Sequence, residues 1–184
     1  MSAMKLRSLS IEGAFEILTE PDRDNRGYFV RTYDAAWFRE HGLHRDWKQE
    51  SQSFTREQHV VRGLHFQRPP HAETKLIRTA RGRVLDVLVD LRRSSATFRQ
   101  WCAVELCAEA MNMVYAPPGC AHGFCTLTGD VLMFYKIDTA HAPGHGGGLR
   151  WDDPEIGIEW PELQPQLSER DAALPAWSEF ENPF

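Results

Sequence analysis

The chain is poor in cysteine, in helical periodicity, in long apolar runs and in surplus positive charge, and each shortage excludes something. Its four cysteines, Cys102, Cys107, Cys120 and Cys125, form no C-x-x-C pair and lie in apolar or Gly/Ala-rich surroundings, as buried thiols of a reduced, cytoplasmic protein do. Lys and Arg number 21 against 26 Asp and Glu, a net charge of -5, so a phosphate-dominated nucleic-acid surface is excluded. No run approaches the roughly 20 apolar residues of a spanning helix. The opening stretch "MSAMKLRSLSIEGAFEIL" also lacks the uninterrupted apolar core of a signal peptide. One cytoplasmic domain over residues 1–184, binding neither nucleic acid nor membrane, is expected.

Hydrophobic residues make up 42% and charged residues 26%, ordinary globular proportions. In the middle of the chain "KLIRTA", "RVLDVLVDL", "AVELCA", "MNMVYAP" and "VLMFYKI" are short β-rich runs separated by turn residues. "ARGR" reads as a tight turn, "DLRRSSATF" as a loop, and "APPGCAHGF" as a Pro-Gly corner that restarts a strand near His122. Helix is confined to "DAAWFREHG", Asp34 to Gly42, with Asp34 as N-cap, and to "LSERDAAL", Leu167 to Leu174, with Ser168 as cap and Asp171 at the capping-box position. The "GHGGG" run, Gly144 to Gly148, lacks the Lys-Ser/Thr of a phosphate loop and reads as a flexible loop. The Pro- and Trp-rich tail is expected to wrap over a sheet face. The pattern is all-β: a sandwich, jelly roll or barrel with one or two short peripheral helices.

Several polar residues fall inside strands. In "RGLHFQ", alternation puts His65 and Gln67 on one face. Lys75, Ile77 and Thr79 share a face in "TKLIRT", as do His122, Phe124 and Thr126 in "HGFCT", and Met133, Tyr135 and Ile137 in "MFYKI". If these faces point inward together, His65, Lys75, His122 and Tyr135 form an acid/base set in one pocket. Taken singly, a strand histidine or lysine is ordinarily a satisfied structural residue. Their convergence is what argues for a site, because a buried lysine is unfavourable without an anionic partner.

Metal chemistry is the competing reading. "PGCAH", Pro118 to His122, matches the P-G-x-x-H element of metal-binding cupins. The chain has no H-x-H to complete the ligand set; it offers His65, His71 and Glu73, and position 67 is Gln, a poor transition-metal ligand beside His. A metal-dependent cupin dioxygenase or isomerase and a non-catalytic sugar-binding cupin are the alternatives to proton transfer.

"RGLHFQ", "TKLIR", "RVLDVLVDLR", "APPGCAHGF", "FYKID", "RWDDPEIGIEWP" and "LSERD" occur in the order and spacing of the dTDP-4-dehydrorhamnose 3,5-epimerase family, which the chain resembles from about Phe15 to Pro175. The resemblance implies a cupin-type jelly roll (double-stranded β-helix), a homodimer with exchanged N-terminal strands, no metal or cofactor, and a nucleotide-diphosphate-linked 4-keto-6-deoxyhexose as substrate. It implies His65 as the base, Asp171 as its orienting partner, Tyr135 as the acid on the opposite face and Lys75 beside the C4 oxygen. It assigns Arg26, Gln49, Arg62, His122 and Arg170 to the sugar and diphosphate. Departures gather at the nucleotide end: Ser51 stands where the family has an amide, Arg31 and Gly146 replace glutamates, and His141 replaces a tyrosine that stacks on thymine. Strict alternation also places Arg62 on the face opposite His65, so both serve one site only if the strand is irregular at Gly63 or Arg62 works from the rim.

Overall fold

Strand formation follows the alternating apolar residues, and the two faces this creates are buried against different partners. The computed structural model describes residues 3–44, 46–162 and 164–184. Strands β1 (Ala3–Ser8) and β2 (Phe15–Glu20) form a hairpin, and β3 (Asp22–Asp24) and β4 (Gly27–Phe29) form a small separate one. Helix α1 (Ala35–Glu40) leads to β5 (Gln49–Thr55), β6 (Val61–Gln67), β7 (Lys75–Arg81), β8 (Arg83–Asp90), β9 (Trp101–Cys107) and β10 (Met113–Ala116). Then come β11 (Cys120–Thr126), β12 (Val131–Ile137), β13 (Gly146–Gly148), helix α2 (Glu169–Ala172) and a 3-10 turn at Trp177–Glu179.

Two antiparallel sheets face each other, six strands in the order β1-β2-β10-β7-β12-β5 and five in the order β13-β6-β11-β8-β9. This is the cupin-type jelly roll. Ile77, Leu88, Leu106, Val114, Phe124 and Met133 fill the space between the sheets. The outer face of the five-stranded sheet is covered as well. Val61, Leu64, Phe66, Val87 and Val89 pack there against Trp151 and Trp160, with Trp177, Phe180 and Phe184 of the tail. The tail thus wraps a sheet face as the sequence suggests. With both faces covered, β11 is buried along its whole length, and β8 reads as a nearly continuous apolar run. No helix among the described residues is long and apolar enough to cross a membrane.

Both expected helices form. The Asp34 carboxylate accepts from Ala36 N and Trp37 N, which satisfies amides the first turn leaves open. Ser168 Oγ accepts from Asp171 N at 3.1 Å, but the reciprocal half of the capping box is missing. The Asp171 carboxylate turns inward to accept from Gly63 N and His65 instead.

The "GHGGG" expectation needs correction, because Gly146–Gly148 is a strand paired with Gln67, Phe66 and His65. Sterics explain it. A Cβ on Gly147 would lie 2.5 Å from the Phe66 ring, and one on Gly148 2.6 Å from Leu174. The glycines let a backbone pass over the strand that carries His65.

Candidate active site

Strand β6 resolves the conflict between Arg62 and His65 by a bulge. His65 pairs with His122 of β11, but Arg62 pairs with Phe124, so three steps on one strand match two on the other. The extra residue returns Arg62 to the inner face. Val61, Leu64 and Phe66 point outward into the tail-covered core. Gly63 makes this possible: its φ is +132°, and a Cβ there would stand 2.5 Å from Gly123 Cα and 2.9 Å from the His122 carbonyl oxygen. The Arg62 guanidinium donates to the Phe54 carbonyl at 3.1 Å. An open cleft of about 440 Å³ is lined by Phe54, Arg62, His65, Ser168, Arg170 and Asp171 among others.

At this cleft the His65 Nε2 stands 2.7 Å from Asp171 Oδ1. A carboxylate only accepts, so Nε2 carries the proton and Nδ1 keeps the lone pair. Burial pushes the imidazole below its usual pKa. Asp171 pulls it back up, and Arg170 and Lys75 add to the lowering. The result is a neutral imidazole with an available nitrogen, the form a base needs.

The other three residues do not line this cleft; Lys75 and His122 are buried between the sheets and Tyr135 is half-buried. His122 sits directly across from His65, and its Nε2 donates to Asp86 Oδ2 at 2.8 Å. Tyr135 belongs to the opposite sheet, its ring centroid 6.2 Å from that of His122. Burial pushes its phenol up to about 12, and a hydrogen bond with Ser53 Oγ, 2.9 Å away, works the other way. Lys75 lies across from Ile137, two residues from Tyr135 on the same face of β12. Its Nζ is 2.8 Å from Glu73 Oε1, and each of those side chains is only 11% exposed.

His65, Lys75, His122 and Tyr135 therefore converge, and three neighbours outside the expected acid/base set converge with them. Ser53 holds the phenol, Asp86 holds His122, and Glu73 neutralises Lys75. Glu73, a candidate metal ligand by sequence, is instead the anionic partner of the lysine. The buried Asp86, mid-strand in "RVLDVLVDL", carried a signal, since a carboxylate in an apolar strand needs a partner.

The nucleotide-end residues are spread more widely. Arg170 lines the cleft. Gln49 donates to the Thr139 carbonyl at 2.8 Å, while Ser51 and His141 are exposed. Arg26 is not among the residues lining the cleft of its own chain; it lies on the β3–β4 hairpin, bound to Asp24. Arg31 pairs with Asp34 at 3.1 Å. At Gly146 a Cβ would meet only the Arg170 guanidinium, at 3.7 Å.

The side chains of the metal reading are otherwise engaged. His65 and His122 each give Nε2 to a carboxylate, Glu73 is paired with Lys75, and His71 packs against the His145 ring. Gln67 accepts from Ala142 N at 2.8 Å. Among the described residues no three His, Cys, Asp or Glu side chains are placed to share an ion.

The cupin-type jelly roll thus sets a histidine–carboxylate dyad on one sheet opposite a half-buried phenol on the other. A family model described as dTDP-4-dehydrorhamnose 3,5-epimerase matches residues 8–179, and the chain belongs to that family. It is 39% identical over 180 residues to the dTDP-4-dehydrorhamnose 3,5-epimerase of Sinorhizobium fredii, a match covering 97% of this chain and 92% of that protein. The Bacillus anthracis dTDP-4-dehydrorhamnose 3,5-epimerase, solved with TDP and PPi bound, matches with a TM-score of 0.92 and 37% identity, over 95% of this chain and 99% of that one. ChmJ, a 3'-monoepimerase from Streptomyces bikiniensis solved with dTDP-quinovose, matches at 0.86 and 32% identity, over 91% of this chain and 85% of that one.

Proposed function

We propose that the protein epimerises both C3 and C5 of a dTDP-linked 4-keto-6-deoxyhexose, without a cofactor, in deoxysugar biosynthesis. The observation that carries this reading is the placement of His65 and Tyr135 on facing sheets, each beside His122. Inversion next to a ketone needs a proton removed from one face and another delivered to the opposite face. His65 Nδ1 takes the α-proton and Asp171 stabilises the resulting imidazolium. The C4 oxygen gains charge as the enolate forms, and Lys75 stabilises it, with His122 beside it. Tyr135 returns a proton from the other wall. Arg62 and Arg170 meet the diphosphate, which reconciles an acidic protein with an anionic substrate.

The TDP bound to the Bacillus anthracis relative supports a thymidine handle. Action in the cytoplasm belongs to the same reading, as does a homodimer. Tyr28 and Phe29, 57% and 63% exposed on the β3–β4 hairpin, suit burial against a second copy. There the hairpin brings Arg26 to the partner's cleft, a place it does not reach in its own chain. Sedimentation of wild type and of a Y28S/F29S variant tests the dimer. The reaction is tested with dTDP-4-keto-6-deoxyglucose in deuterium oxide, reading label at C3 and C5 by NMR. Label at both carbons is expected; label at C3 alone makes the protein a 3-epimerase, and none with any of the dTDP-, UDP-, GDP- or CDP-linked sugars rules the reading out.

A further inference from the structure

The Tyr135 hydroxyl has one hydrogen-bond partner among the described residues, the hydroxyl of Ser53 at 2.9 Å. Ser53 stands on β5, an edge strand of the six-stranded sheet, and is half-buried. The residues that follow it, Phe54, Thr55, Arg56 and Glu57, line the open cleft. Ser53 and Tyr135 are both half-buried, and Ser53 directly precedes the stretch that lines the cleft, so its hydroxyl stands between the phenol and a place water reaches. The other polar groups near the phenol are poor substitutes. Asp86 accepts from His122, and Arg62 is engaged by the Phe54 carbonyl.

Two inversions on one bound sugar need two protons from one phenol. After the first delivery a tyrosinate remains, held in a setting that disfavours the anion. It must regain a proton before the second carbon can be completed. We propose that the Ser53 hydroxyl reloads Tyr135 from solvent between the two deliveries, and so decides whether one or two carbons are inverted in each binding event. The inference rests on the reading of Tyr135 as the acid.

The step balances. The enolate double-bond pair takes the phenol proton to form the new C–H bond, and the C4 oxyanion returns to a ketone. The tyrosinate takes the Ser53 hydroxyl proton while Ser53 Oγ takes one from water. His65 releases the abstracted proton to solvent, so each inversion exchanges one proton with water and transfers no electrons overall.

The experiment compares wild type with S53A, S53V and S53T, enzyme in excess over dTDP-4-keto-6-deoxyglucose, in deuterium oxide, reading label and inversion at C3 and C5 by NMR. S53V and S53T have nearly the same shape and differ in the hydroxyl. The expected result is that S53A and S53V deliver sugar inverted at one carbon, with the doubly inverted product falling by about tenfold or more. In steady state KM should stay within about threefold, since the loss lies after binding, and S53T should recover double inversion. Double inversion by S53A and S53V at the wild-type rate overturns the relay. Y135F separates the two ideas, since His65 alone can exchange label without inverting: if it still inverts both carbons, the assignment of Tyr135 fails, whereas loss of inversion in Y135F with none in S53A leaves that assignment standing and removes Ser53 alone.

Discussion

His65 Nε2 lies 2.7 Å from Asp171 Oδ1, although 106 residues separate them in the chain. The join depends on α2, whose first turn is fixed by Ser168 and whose Asp171 is buried between Gly63 N and the imidazole. The base is thus held by a helix of four residues at the far end of the sequence. H65N should lower kcat by about 10²–10⁴-fold, the usual weight of a general base, with dTDP binding by calorimetry nearly unchanged. D171N should lose a comparable amount, since an amide neither stabilises the imidazolium nor fixes the tautomer.

The same dyad sets a pH dependence. As pH falls through the His65 value the imidazole gains a proton and the base is lost. Burial has lowered that value, so the acid limb of kcat/KM should lie below the ordinary histidine value of about 6.5. Asp171 is the influence that raises it, so an NMR titration of His65 in D171N should give a lower midpoint still. At the alkaline end Tyr135, pushed up to about 12, stays protonated across the working range. The phenol should therefore set no alkaline limb below pH 10 or so, above the ordinary tyrosine value of about 10.

Lys75 and Glu73 form a nearly enclosed ion pair. Removing either partner leaves a buried charge unpaired, which costs about 3–5 kcal/mol where enclosure is complete and less here. K75A should lower both urea stability and kcat. E73A should lower stability while E73Q, which keeps an acceptor for the ammonium, should retain most of the turnover. An E73Q/K75M double variant should recover stability without activity, which separates the two roles of the lysine.

Periodicity exposes the strand faces, and with them the convergence of His65, Lys75, His122 and Tyr135, because alternation is a local property. The bulge at Gly63 was visible only as a conflict between Arg62 and His65; the close approach of Gly123 that enforces it is a contact between strands distant in sequence. The "GHGGG" run misled for a related reason. Composition alone indicates flexibility, whereas Phe66 and Leu174 require that backbone to lie flat as a strand. Ser53 and Glu73 carry no motif of their own and gain meaning only from the side chains they touch. Arg26 is a different case, since its place is fixed by a hairpin that stands away from the cleft of its own chain.

Gly63 offers the most direct test that backbone geometry, and not residue type alone, brings Arg62 and His65 to one face. The obstacle to a larger residue is backbone on both sides, Gly123 Cα at 2.5 Å and the His122 carbonyl oxygen at 2.9 Å. Neither can move as a side chain can. The φ of +132° adds strain for any residue with a Cβ, on the order of 1–3 kcal/mol. G63A should therefore lower the thermal midpoint by several degrees, roughly 2–4 °C for each kcal/mol in a chain of this size. Where the protein still folds, the strand should relax toward regular pairing and carry Arg62 away from the cleft. Affinity for dTDP should then fall together with kcat, a double loss that H65N does not show. A G63A protein with normal stability and normal dTDP binding would mean that the bulge is not what places the guanidinium.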